Sequence, residues 1–348
     1  MSHIHDDRSV PEEYCKILNE HNLGESAVHI DLLAPTSEPE LYPEGAATSN
    51  IAKVMRIPPR RIALCGGGMR GIAHVGVMKA LREAGLLKGV KEIIGISAGS
   101  LFALLWALEY TVEQIEKLSL EFDFTLLQNI NPESIFNFPL TYGLDDGKGL
   151  DKLIISILRR KGFSDAATFR DIHEKHPIHL RCFATELQTS KKRVFGTLAT
   201  PEASVKMAIR ASMSLPIFYT PVQESGTNAL LMDGGLISNL PLFFMNEVEM
   251  RQTWCVFFMS KKKEVAEPVS GLIQVVQYIY DSSNTLKDLY YIEKYSDRLI
   301  IINTQEFSIL NFGESQEMRK KLIHLAYEKA NEFIYLLGVR PARRYSAC

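Results

Sequence analysis

At 348 residues the chain is long enough for one large α/β domain or two smaller ones with a substantial core. Hydrophobic content of 46% and charged content of 23% belong to a folded globular protein and exclude disorder of the whole chain. The net charge of −2 hides an asymmetry, since residues 1–50 hold ten acids against two bases while residues 51–348 hold 31 acids against 37 bases.

Residues 1–55 read as an acidic extension, with Pro11, Pro35, Pro39 and Pro43 scattered among polar residues and one short helix over 11–22. An acidic tail before a mildly basic body fits screening of a surface that favours anionic lipid, or solvated charge without a role. His3, His5, Asp6 and Asp7 read as a frayed terminus in preference to a metal site. With no basic start followed by an apolar stretch, the expectation is a cytoplasmic protein without a secretory leader. The longest uncharged apolar run, Ala98–Leu108, falls short of the roughly 20 residues that cross a bilayer. Cys15, Cys65, Cys182, Cys255 and Cys348 are widely spaced and odd in number, which predicts reduced, mostly buried thiols and no disulfide framework.

From Arg61 the pattern alternates between strand and helix. Arg61–Cys65 is a short apolar strand, Gly66–Gly71 a glycine-rich turn, and Ile72, Val75, Val77, Met78 and Leu81 mark a helix closed by Gly85. Gly66, Gly68 and Gly71 also spell a dinucleotide fingerprint, which expects an acid at the end of the next strand to hold a ribose. That strand, Glu92–Ile96, has its acid at the opposite end. The other use of such a turn is an oxyanion hole, where glycine N–H groups converge on a carbonyl oxygen as it turns negative.

Glu92–Ile96 passes through Ser97 into the apolar segment 98–108, a strand, sharp turn and helix. Gly95 and Gly99 flank the serine, as a strained elbow with no room for Cβ atoms requires. The turn puts Ser97 at a helix N-terminus, where the dipole favours a nucleophilic oxygen. In a parallel βαβ unit both turns sit at one edge of the sheet. Thr111 and Gln114 then form a capping box opening a helix to about Glu121. Residues 128–149 read as a long loop carrying Ile135, Phe136, Phe138, Leu140 and Tyr142, either a lid or membrane contact or a loop packed on the core.

Helices are expected near 150–160 and 168–175, then strands Ile178–Ala184 and Arg193–Phe195 and a helix near 202–211. A hairpin across Ser225–Asn228 ends at Met232–Asp233, where an acid sits on a second glycine turn, Gly234–Gly235. A strand Thr253–Met259, a long helix near 270–290, a strand Arg298–Thr304 and an amphipathic helix near 315–337 complete the chain. The sum is an α/β fold of three layers, with helices on both faces of a mostly parallel sheet.

A serine needs a base to accept its proton. His324, the one histidine after Asp233, falls in a helical run, and His74 precedes the serine in a buried helix start. The residues therefore favour Asp233 itself, provided that it is desolvated and within reach of the hydroxyl.

Gly66-Gly-Gly-Met-Arg-Gly71, Gly95-Ile-Ser-Ala-Gly99, Ala211-Ser-Met-Ser-Leu-Pro-Ile-Phe-Tyr-Thr-Pro221 and Asp233-Gly-Gly235 stand in an order that resembles the patatin-like phospholipase family over about residues 60–245. Residues 56–348 would then form the catalytic domain, completed by C-terminal helices. The resemblance implies a Ser97–Asp233 dyad, an oxyanion hole from Gly66, Gly67 and Gly68 with Arg70, and metal-independent hydrolysis of phospholipid acyl esters through an acyl-serine. It implies no cofactor and no nucleic acid partner, a peripheral membrane setting, and leaves the oligomeric state open. Gly235 and Cys65 depart from the alanine and the acidic residue common at those places. An acyltransferase or general esterase on the same residues, or a non-catalytic lipid-binding module, are the alternatives.

Overall fold

The structure, a computed structural model, describes residues 58–224, 226–259 and 290–337, with a few single positions between 271 and 288. The expected helix at 11–22, the acidic extension and most of the helix near 270–290 lie outside the described residues.

In chain order the elements are β1 (Arg61–Leu64), α1 (Ala73–Glu83), β2 (Glu92–Ile96), α2 (Ala98–Ala107), α3 (Val112–Glu121), α4 (Pro132–Thr141), β3 (Gly143–Asp145), α5 (Lys148–Arg160) and α6 (Phe169–Lys175). There follow β4 (His179–Glu186), β5 (Lys191–Gly196), α7 (Val205–Ser212), β6 (Ile217–Tyr219), β7 (Val222–Gln223), β8 (Leu230–Asp233), α8 (Glu247–Arg251), β9 (Thr253–Met259), β10 (Leu299–Asn303) and α9 (Gln316–Leu336).

The alternation of short apolar strands with helices yields the predicted α/β architecture. In the main sheet β10, β9, β1, β2 and β4 lie side by side in that order, all parallel. β5, β7 and β8 add antiparallel pairings at the β4 end. Such a parallel core is buried on both faces, and β2 accordingly has every residue buried. α2 is apolar all round, as a helix enclosed by the fold must be, and packs on β1, β2 and β4. α9 lies along α1 and against α3 and β10.

The edge pairing of β4 positions the site. β5 runs along one edge of β4 over Arg181–Glu186. The other edge is shared: β2 pairs with His179–Phe183, and β8 with Ala184–Glu186. Ile96 faces Phe183 and Asp233 faces Ala184, so the C-terminal ends of β2 and β8 meet on consecutive rungs, about 3.4 Å apart along β4.

Residues 128–149 differ from the expected loop. Asn131 caps α4 in a reciprocal box with Ser134, and Pro132 occupies the first turn, where its missing N–H costs nothing. Pro139 lies within the last turn, and Tyr142 ends the helix in a left-handed conformation at φ 58°. None of the ten residues of α4 is buried. β3, directly after it, pairs in parallel with β6.

Candidate active site

Ser97 sits between β2 and α2 with φ 52° and ψ −129°, a conformation that costs a serine roughly 1–3 kcal/mol. Its surroundings hold it there. The Ser212 hydroxyl accepts its N–H at 3.0 Å, and its carbonyl accepts from Ser100 N–H at 2.8 Å and Ser100 Oγ at 2.6 Å. A Cβ on Gly95 would run into the Gly99 and Ser100 backbone, and one on Gly99 would strike the Leu64 and Cys65 carbonyls. The strand-to-helix crossing is thus closed to any side chain at either position.

β1 runs beside β2 with Leu64 opposite Gly95, which carries Gly66 alongside Ser97. A Cβ on Gly66 would stand 2.9 Å from Ser97 Cβ. Among the described residues, the N–H groups of Gly66, Gly67 and Gly68 donate to no acceptor. Gly68 takes φ +54° with the Ile309 carbonyl against its α-carbon, and Gly71 packs on Ala98 and Phe102 of α2. Arg70 stands in the same turn. Its N–H closes the turn on Gly67 O at 3.0 Å, and its Nε donates to Phe307 O at 2.7 Å, so Arg70 fastens the turn to the 307–309 segment.

Asp233 is 1% exposed. Its N–H donates to Ser214 O at 2.9 Å, its carbonyl accepts from Thr185 Oγ1 at 3.0 Å, and Oδ1 accepts from Gly235 N–H at 2.8 Å. Gly234 lies flat on the Phe183 carbonyl. The segment Ser212–Ser214 therefore touches both turns, holding Ser97 through Ser212 and Asp233 through Ser214. Among the described residues no direct hydrogen bond joins the Ser97 hydroxyl to Asp233.

Among the described residues, no histidine hydrogen-bonds Ser97 or Asp233. His324 faces solvent on α9, 3.2 Å from Glu328. His74 is fully buried between Phe102 and Phe258, with Nε2 3.0 Å from Cys65 O. Burial holds its pKa down at about 4 in spite of that carbonyl. His179 begins β4, at the far end of the sheet from Ser97, and His176 pairs with Glu109. Glu92, the acid of the strand that follows the glycine fingerprint, is bound at that far end by Arg61 at 2.7 Å and Arg181 at 2.8 Å. No carboxylate ends β2 to hold a ribose. Burial also pushes the Cys65, Cys182 and Cys255 thiols up, which makes them inert packing groups. Among the described residues no cluster of three or more His, Cys, Asp or Glu forms a metal site.

The motif glycines, Ser97 and Asp233 were legible in the sequence, but Ser212, Ser214 and Asn239 had no assigned role. The signal for the first two lies in the Ala211–Pro221 segment; for Asn239 it is only its place six residues beyond Asp233. Asn239 Nδ2 donates to Gly66 O at 3.2 Å.

A mostly parallel sheet, with a serine on a strained strand-to-helix elbow and a glycine turn beside it, defines an α/β protein with a candidate serine site at one sheet edge. The chain belongs to the patatin-like phospholipase family, whose sequence pattern matches residues 62–245. It is 26% identical over 294 residues to an uncharacterized protein of Acanthamoeba polyphaga mimivirus, covering 82% of this chain and 97% of that one. A probable lipid hydrolase of Invertebrate iridescent virus 6 is 26% identical over 183 residues, 53% of this chain and 62% of its own length. The crystal structure of VipD from Legionella pneumophila shares the fold, with a TM-score of 0.54, 17% identity, and coverage of 80% of this chain and 67% of that one. The family and these relatives support a lipid hydrolase. No helix among the described residues is long and apolar enough to cross a membrane.

Proposed function

We propose that the protein is a serine lipid acyl hydrolase that cleaves acyl esters of membrane phospholipids with Ser97 as nucleophile and Asp233 as its base. The observation that carries this reading is the meeting of β2 and β8 on consecutive rungs of β4, beside three glycine N–H groups without an acceptor among the described residues. The catalytic unit in this reading is residues 56–348, apart from the acidic extension 1–55.

In the first half-reaction the Asp233 carboxylate takes the hydroxyl proton while Ser97 Oγ attacks the ester carbonyl carbon. The carbonyl oxygen becomes an oxyanion, for which Gly66–Gly68 supply donors that need no reorganisation. The tetrahedral centre collapses with loss of the alcohol portion of the lipid, which takes the proton from Asp233. A water then attacks the acyl-serine as Asp233 accepts its proton, and collapse frees the fatty acid and returns the proton to Ser97. Asp233 acts here without a histidine, which requires the dry setting that its burial provides.

The substrate lies in a bilayer, and α4 supports a lipid surface as the working environment. Phe136 is 84% exposed and Leu140 78%, with Ile135 and Tyr142 also largely open. From Phe124 to Leu144 the only charged residue is Glu133. β3 ties this apolar helix to β6, which follows the Ser212–Ser214 segment directly. The test of the reading is fatty acid release from phospholipid vesicles by the wild type beside Ser97→Ala, with release by both proteins sinking it.

A further inference from the structure

Asn239 joins the two halves of the site, and the mechanism above gives it nothing to do. It follows the Asp233 turn, and the Ser238 hydroxyl accepts from Leu240 N–H across it at 3.2 Å, which pins the local backbone. Its amide reaches the glycine turn, where Nδ2 donates to Gly66 O at 3.2 Å. Oδ1 is buried without a hydrogen-bond partner among the described residues. A Cβ on Gly66 would meet this Oδ1 first and Ser97 Cβ next, so the amide is wedged against Gly66 beside the serine.

A peptide unit is a rigid plane in which C=O and N–H point in opposite directions. The bond from Asn239 to Gly66 O therefore also sets the direction of Gly67 N–H, which shares that plane. Little else sets it. The β1–β2 ladder ends at Leu64 and Gly95, Cys65 is held by its N–H on Val256 O and by His74 at its carbonyl, the next fixed point beyond Gly66 is Arg70 N–H on Gly67 O, and the Gly66–Gly67 peptide between them has wide rotational freedom.

The geometry points to Asn239 as a positioning residue that aims Gly67 N–H at the oxyanion before substrate arrives. This rests on Ser97 being the nucleophile. The unpartnered Oδ1 adds a practical consequence, because Asn239→Leu has nearly the same shape and removes both a buried orphan acceptor and the donor to Gly66.

The experiment uses the full-length protein, as wild type, Asn239→Leu and Asn239→Ala, on a dispersed p-nitrophenyl ester. A trifluoromethyl ketone, which becomes an oxyanion when serine adds to it, serves as the second probe. Asn239→Leu is expected to keep its thermal midpoint, to lose about 30- to 100-fold in kcat, the scale of a misdirected oxyanion donor, and to hold KM within about threefold. Affinity for the ketone should fall by the same factor as kcat/KM, a parallel that mere loosening of the fold would not produce. Wild-type turnover by Asn239→Leu, or a loss of kcat with unchanged ketone affinity, overturns the inference. Fluorophosphonate labelling of the wild type separates the two levels: no label on Ser97 removes the nucleophile and this inference with it, whereas label with unimpaired Asn239→Leu removes the inference alone.

Discussion

Asp233 faces Ala184 one rung beyond the place where Ile96, the residue before Ser97, faces Phe183. Two strands thus arrive head to head on one edge of β4, and neither can continue along it. β2 escapes through the elbow into α2, β8 through the 3₁₀ turn Gly234–Leu236, and both turns open at the same point. Strain at Ser97 is the local cost of that exit, offset by the bonds from Ser212 and Ser100.

The two glycines nearest the serine should respond differently to a methyl group. In Gly99→Ala the new Cβ meets the Leu64 and Cys65 carbonyls, backbone that a parallel sheet holds in place. Overpacking of this kind costs about 1–3 kcal/mol, visible as a lower urea midpoint. In Gly66→Ala the obstacles are side-chain atoms, the end of the Asn239 amide and Ser97 Cβ, and no backbone carbonyl. That variant should lose less stability than Gly99→Ala yet turn over ester at least about tenfold more slowly, as expected of a displaced oxyanion turn.

His74 makes stability depend on pH. Its pKa is about 4 in the fold against 6.5 for an exposed histidine, so the unfolded chain takes up the proton first as the pH falls. The contribution is complete above pH 6.5, declines as the pH falls from there to about 4, and is level below that. The gap amounts to about 3 kcal/mol at one pKa unit per 1.36 kcal/mol. Urea midpoints measured from pH 7 to pH 4 should fall less steeply for His74→Gln than for wild type. Parallel curves would mean that His74 is not the group responsible.

The apolar face of α4 predicts interfacial behaviour. Phe136→Ser combined with Leu140→Ser should reduce sedimentation with phosphatidylcholine vesicles. The ratio of turnover on vesicles to turnover on a dispersed ester should fall at least about tenfold, since even one apolar side chain withdrawn from water is worth about 1.5–3 kcal/mol. An unchanged ratio would assign the exposed rings another purpose.

The sequence shows most of the elements because most of its strands are short apolar runs, and glycine cuts off β8 directly and β1 one residue later. The Thr111–Gln114 capping box, the hairpin ending at Asp233 and the closing helix stand where their punctuation puts them. α4 was hidden by its prolines: Pro132 and Pro139 read as breakers, although the first suits a helix start and the second falls near the end. The shared edge of β4 was hidden for a different reason. Residue types reveal that Asp233 ends a strand on a glycine turn, but which strand end it meets is a long-range pairing with no local signal. Asn239 escaped notice likewise, because its partner Gly66 is 173 residues away.

The central claim is that Asp233 activates Ser97. The most direct measurement is the rate of fluorophosphonate attachment to Ser97 in the wild type, Asp233→Asn and His324→Ala. An asparagine can still accept the Gly235 N–H, so the turn is retained while the base is lost. Labelling of Asp233→Asn should slow about 100-fold or more, the scale of general-base assistance, while His324→Ala matches wild type. Labelling of Asp233→Asn at the wild-type rate would contradict that claim.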